Sequence, residues 1–296
     1  MEAWTVNIGI INKEVFKIEI IDYNSEKYPI LLKNIDNPPQ RLYAEGNLEL
    51  LNSNAISVIG SRACSVDGIK YAKQFSKELA SMGITIISGM AVGIDTSAHV
   101  GCLEVGGNTI AVLGCGLNNI FPKQNIKLYH RILENNGLVI SEYPPDAAAN
   151  SARFLERNRI VSGLSIGVLV IEAAHRSGTS VTASLAQKQH KSIFCLPHDL
   201  KDKHGVGTNR LIKNGASLVT CTNDIIKKFD FLHNSKIKIK NDDIEQLKII
   251  ELHKYIDVYN LLVGPPQNVD ELCEKINKPV QYINNALFAL ELDGLI

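Results

Sequence analysis

Seven short runs, ISVIG, ITIIS, TIAVLG, LVISE, IGVLVIE, SIFCLP and SLVT, alternate with helical stretches between Ile56 and about Phe229. Each run is apolar nearly throughout instead of alternating, as expected of parallel strands covered on both faces. Few architectures accept that rhythm. The intervening segments keep helical spacing, as in Ile69, Ala72, Phe75 and Leu79, and Gly83 supplies a C-terminal stop. The pattern predicts an extended Rossmann-like, doubly wound α/β domain with a mostly parallel sheet of about seven strands over 56–229.

The flanks read differently. In 1–55, Thr5–Ile11 and Val15–Ile21 suggest short strands, and Pro38 and Pro39 exclude helix from the segment that follows, so this part is expected as a lead-in packing on the core. Residues 230–243, DFLHNSKIKIKNDD, are polar and aperiodic, which marks a linker. Residues 244–296 read as three helices, Ile244–Leu262, NVDELCEKIN and VQYINNALFALELDG, broken by GPPQ and KP. That is the outline of a small all-α helix-turn-helix domain.

Composition removes several classes of function. Lys and Arg number 31 and Asp and Glu also number 31, so no global field drives the chain to nucleic acid or anionic lipid, and any phosphate-binding surface must be local. The six cysteines are scattered without CxxC or a nearby histidine at ligand spacing, against zinc and against a disulfide framework. No metal and no cofactor are expected, and a reducing cytoplasm fits. The N-terminus has no basic leader with an unbroken apolar run, and no segment approaches the ~20 apolar residues of a membrane span.

In such a sheet ligands bind beyond the C-terminal strand ends, where helix N-termini also point and make anion sites. The loops there are GSRACSVDG, SGMAVGID, GCGLNNIFPKQN, SEYPPDAAANSARFLERNR, EAAHRSGTS and PHDLKDKHGVGTNR. Arg62, Lys123, Arg153, Arg157 and Arg159 fall in them or at a helix start, and are expected as a cationic rim suited to phosphodiesters. Each residue also has a plainer use. The glycines at 60, 89, 93, 114 and 116 allow tight turns, and Arg157 and Arg159 can pair with Glu156 or Glu142. Asp95 and Thr179 suit helix capping, and His99 suits helix packing better than base catalysis. Phe154 is placed to stack on a base or to be buried under its loop. GSRACSVDG fails the dinucleotide spacing GxGxxG, and GxSxG, Walker A and HExxH are absent. Glu172 and Asp95 are the carboxylates eligible for acid or base work.

Taken in order, YPILLKNIDNPPQRLYAEGN, the GSR turn at Gly60–Arg62, SGMAVGIDTSAH, GNTIAVLGCGLNNIFPKQN, ISEYPPD, FLERNRIVSGLS, VIEAAHRSGTSVTA, PHDL and GTNRLIKNGA resemble the bacterial DNA processing protein A (DprA, or Smf) family over about residues 28–229. The resemblance implies a non-enzymatic protein that binds single-stranded DNA, dimerises, and loads the RecA recombinase onto incoming DNA in natural transformation and homologous recombination. The family's DNA pocket carries over to Gly60, Ser61, Arg62, Ser88, Gly89, Lys123, Arg157, Asn158 and Arg159, with Arg153 and Phe154 added from the reading of the loops. Backbone donors ringed by arginines suit phosphates and leave bases to stack without sequence readout. Neutral net charge then implies moderate affinity per monomer, reinforced by a homodimer with two such sites.

Two departures stand out. Leu155 replaces the proline before the RNR run, and His198 stands where the family has a glycine, so contacts are not transferred to Asp199–Asn209. The C-terminal helices resemble a winged helix whose wing would begin where ELDGLI ends. From Pro265 onward five acids face two lysines, a balance of minus three, wrong for a helix in the major groove. A protein-contact or vestigial module is expected there. Two other functions stay open, a Rossmann-like nucleotide N-glycosidase, although PGGxGTxxE is replaced by EAAHRSGTS, and a nucleotide-signal sensor acting through the C-terminal module.

Overall fold

The computed structural model describes residues 17–174, 177–229, 258, 261–262 and 268–292. The strand expected at Thr5–Ile11, the linker 230–243, and the helix expected at Ile244–Leu262, apart from three of its residues, lie outside them. The chain forms two compact units, Met1–Ser235 and Lys236–Ile296.

All seven apolar runs are strands: β3 (Ala55–Ile59), β4 (Thr85–Ser88), β5 (Thr109–Leu113), β6 (Leu138–Ser141), β7 (Gly167–Val170), β8 (Ser192–Cys195) and β9 (Ser217–Leu218). They pair in parallel. Two further strands, β1 (Glu19–Asp22) and β2 (Arg41–Gly46), join antiparallel beside β6, completing nine strands in the order β1-β2-β6-β5-β4-β3-β7-β8-β9. The lead-in is thus partly sheet itself. From β3 the chain builds outward to β6, then returns to lay β7 on the other side of β3. The β3/β7 boundary is the topological switch point, where open α/β sheets form a crevice.

Adjacent residues of each strand turn to opposite faces, and both faces are apolar. Ala55, Ile59, Ile87, Ile110, Val112, Val168 and Val170 pack with Ile160, Val161 and Leu164 of helix α5 (Ser151–Gly163) and with Ala183 and Ala186 of α6 (Gly178–Lys188). Ile56, Val58, Ile86 and Leu169 pack the other way, against Ala72, Phe75 and Leu79 of α2 (Val66–Ser81) and Ile94, Ala98 and Cys102 of α3 (Ile94–Leu103). Each fully buried Ile, Leu or Val is worth about 1.5–3 kcal/mol relative to exposure. Helix α2 is capped by the Ser65 hydroxyl, which accepts from Gly68 N at 2.9 Å, and ends before Gly83 at φ +78°. Its inward face runs Gly68, Ala72, Phe75, Leu79, so Ile69, expected in the apolar stripe, lies 40% exposed. Gly68 sets that rotation, because a Cβ there would collide with the Glu172 carboxylate. The remaining helices are α1 (Ile30–Lys33), α4 (Ile126–Glu134), α7 (Val206–Lys213) and α8 (Thr222–Ile226).

In the second unit, α9 (Val269–Ile276) opens with a capping box in which Asn268 accepts from Glu271 N at 2.9 Å, and it ends on Asn277 in the left-handed region at φ 54°. It packs on α10 (Val280–Leu292) through Leu272, Ile283, Ala286 and Leu290. Among the described residues no helix is long and apolar enough to cross a membrane, and no group of His, Cys, Asp and Glu could hold a metal ion.

Candidate functional site

A cleft of about 450 Å³ opens at the switch point. Its walls come from the β3–α2 loop (Gly60, Ser61, Arg62), the β4–α3 loop (Gly89, Ala91), the first turns of α5 (Ser151, Phe154) and of α6 (Gly178, Thr179), and the floor from Arg157, Asn158 and Asp95. The two glycine turns fit against each other: a Cβ at Gly60 would sit 2.5 Å from Ile94, and Gly93, at φ +86°, passes so close that its Cβ would lie 2.5 Å from the Ser61 carbonyl oxygen. Ile94 N donates to that same carbonyl at 3.3 Å. The first turns of α5 and α6 also line the cleft, so the positive ends of their dipoles face one crevice.

The cations expected on one rim divide into distinct settings. Arg62 is exposed, with its guanidinium carbon 5.8 Å from the Phe154 ring centroid. Arg157 is 4% exposed, which corrects its placement on the rim. Its Nη1 donates to the Gly89 and Val112 carbonyls at the ends of β4 and β5, and its Nε donates to Asn158 Oδ1 at 3.2 Å. Arg159 is also off the rim, because its two Nη atoms make a forked pair with Glu142 at 2.6 and 2.8 Å and its Nε donates to the Asn37 carbonyl. Arg153 lies 4.8 Å over the Tyr143 ring and donates to the Ala148 carbonyl at 2.6 Å. Lys123 is exposed but lines a neighbouring groove and not the cleft. Ser88 is fully buried, its hydroxyl donating to the Val58 carbonyl at 2.7 Å.

Beneath the cleft lies a buried charge network. Burial pushes the Asp95 carboxyl up, against the pull of the Arg157 charge and of the Ala91 N–H that donates to it at 3.3 Å. Burial lowers the Arg157 guanidinium, and Asp95 opposes that shift. His99 is buried too: its Nδ1–H donates to Thr109 Oγ1 at 2.7 Å, since the Thr109 proton goes to the Ile86 carbonyl. Burial and the Arg157 charge lower its pKa to about 3, which keeps the imidazole neutral. Asp95 is not the helix cap expected, because Gly93 occupies that position; nor does Thr179 cap α6, where Ser177 accepts from Ser180 N at 3.3 Å.

Phe154 is half-buried, with the Arg62 guanidinium 5.8 Å and the tilted Phe121 ring 5.4 Å from its ring centroid. Leu155, in place of proline, lies 50% exposed on α5 at the cleft wall. His198 replaces glycine at no cost in hydrogen bonds: Nε2 donates to the Ile171 carbonyl at 2.8 Å, and Nδ1 meets Asp202 at 3.1 Å. Glu172 faces away from the cleft lining, accepting from the Ser65 hydroxyl and from Ser65 N at 3.0 Å. Phe121 and the α6 start at Ser177 and Gly178 line these spaces without having been expected from the loops. The second was legible in SGTS after an apolar run, a serine N-cap signal.

Fold and cleft together define a doubly wound α/β protein with an open cleft at its topological switch point. Residues 19–230 match the family described as DNA recombination-mediator protein A, and the chain belongs to that family. It is similar to protein Smf of Escherichia coli K12, 40% identical over 285 residues, covering 94% of this chain and 74% of that one. It is 39% identical to the Streptococcus pneumoniae R6 DNA processing protein DprA over 221 residues, 75% of this chain and 78% of that one. The X-ray structure of DprA from Streptococcus pneumoniae superposes with a TM-score of 0.68 at 38% identity, covering 72% of this chain and 75% of that one. DNA processing protein A of Helicobacter pylori, whose structure was described for its single-stranded DNA binding mode, superposes with a TM-score of 0.65 at 32% identity, over 72% of this chain and 96% of that one.

Proposed function

We propose that the chain binds single-stranded DNA in the switch-point cleft, without catalysis, and delivers it to the RecA recombinase during DNA processing in transformation and homologous recombination. The observation that carries this is Arg62, exposed at the mouth of a crevice lined by the first turns of α5 and α6 and stacked against Phe154. Dipoles and a cation take phosphates, while an aromatic ring takes any base. The binding mode described for the Helicobacter pylori relative supports the same reading. Gly60, Ser61, Gly89 and Asn158 shape the cleft. Arg157 and Ser88 hold its floor, and Lys123 and Arg153 supply charge outside it.

A glycosidase would need a carboxylate free to work on a sugar, and Glu172 is committed to Ser65 while Asp95 is committed to Ala91. Incubation with nucleoside monophosphates is expected to release no base. The decisive binding test is a gel shift with oligo(dT): Arg62→Ala should weaken binding about tenfold and reduce the salt slope by about one. Unchanged binding at every salt concentration would remove the cleft from the account. Faster RecA filament assembly on oligo(dT) in the presence of the protein, and a dimer by sedimentation, are the outcomes expected for delivery and self-association.

A further inference from the structure

Two more cavities continue from the cleft. A middle one of about 240 Å³ shares Arg62, Gly89, Ala91, Phe154 and Arg157 with it and adds Phe121. An outer groove of about 690 Å³ takes up Phe121 again and runs past Lys123, Ile126 and His130 to Glu45. Phe121 is thus the residue common to the middle and outer spaces, and it is 47% exposed, unusual for a large aromatic ring. Lys123 and His130 are exposed beside it. The one carboxylate among the groove's described lining residues, Glu45, accepts from the Tyr129 hydroxyl, and burial pushes its pKa up while that bond and His130 oppose the shift. A track with an exposed aromatic step, a lysine after it and its carboxylate already bonded to Tyr129 suits a nucleic-acid strand.

Resting on the cleft reading, we propose that the bound single strand continues over Phe121 into the outer groove, with Phe121 as a second stacking platform and Lys123 on the backbone phosphate beyond it. Phe154 and Phe121 then stand as consecutive steps, 5.4 Å apart. Bases can stack there only when unpaired, so the step also selects against duplex.

The test measures affinity by fluorescence anisotropy for oligo(dT) of about 4 to 16 nucleotides, the range of single-strand sites. For the wild type, affinity should rise with length as the strand reaches the groove. Phe121→Ala should weaken the longest oligonucleotide about tenfold and leave the shortest unchanged. Phe121→Trp should keep the rise, and its emission above that of the sequence's single tryptophan should be quenched by long strands only. Equal loss at all lengths for Phe121→Ala, or no quenching of Phe121→Trp at any length, would overturn the extended track. Arg62→Ala tests the cleft separately, because it should weaken binding at every length.

Discussion

The floor and the mouth of the cleft hold the same residue type in opposite roles. At the floor, Arg157 is 4% exposed and spends its donors on two strand-end carbonyls and on Asn158, above a buried Asp95. At the mouth, Arg62 is exposed and touches little besides the face of Phe154. A buried cation bonded internally holds the framework, whereas an exposed one is available to a ligand. The difference teaches that a cluster of arginines in sequence is not a cluster of equivalent contacts.

That contrast can be broken by measurement. The largest effect should come from Arg157→Met, which strands Asp95 and two carbonyls and should cost about 3–5 kcal/mol, read by urea denaturation. A mutant as stable as the wild type would place Arg157 with Arg62 among the ligand contacts. Gly89→Ala should cost about 1–3 kcal/mol by overpacking, because its Cβ would lie 2.5 Å from the Arg157 guanidinium. Acid should act on the floor through His99, whose folded pKa of about 3 lies below the ordinary 6.5. Its contribution is complete above pH 6.5 and is lost as pH falls toward 3, at about 1.4 kcal/mol per unit. His99→Asn, which keeps a donor for Thr109, should flatten that slope. Arg62→Ala should change stability by less than about 0.5 kcal/mol while weakening oligo(dT) binding, and a large loss of stability would erase the distinction between mouth and floor.

The parallel half of the fold was legible because strands buried on both faces have nowhere to place polar side chains, and the alternation of Ile56 and Val58 against Ala55 and Ile59 confirms that both faces are dry. The antiparallel edge was legible only in part: the strand expected at Val15–Ile21 overlaps β1 over 19–21, whereas β2 mixes exposed with buried positions and gave no such signal. In the site, the glycine turns and Arg62 could be placed from the loops alone. The burial of Arg157 could not be read from its charge, but its spacing carried the signal: Ile160, Val161 and Leu164 follow at three, four and seven residues, so Arg157 lies on the inward face of α5. Arg159 falls on another face, where Glu142 meets it. Phe121 depends on how a loop folds back on α5, which no periodicity reports.

The close approach of Gly89 to Arg157 makes positions 89 and 157 a single variable. A side chain at one and a guanidinium at the other compete for the same volume, so neither can drift alone without first passing through a damaged protein. Exchange at these two sites must come as a paired event, while the exposed side chain of Arg62 at the mouth is under no such constraint.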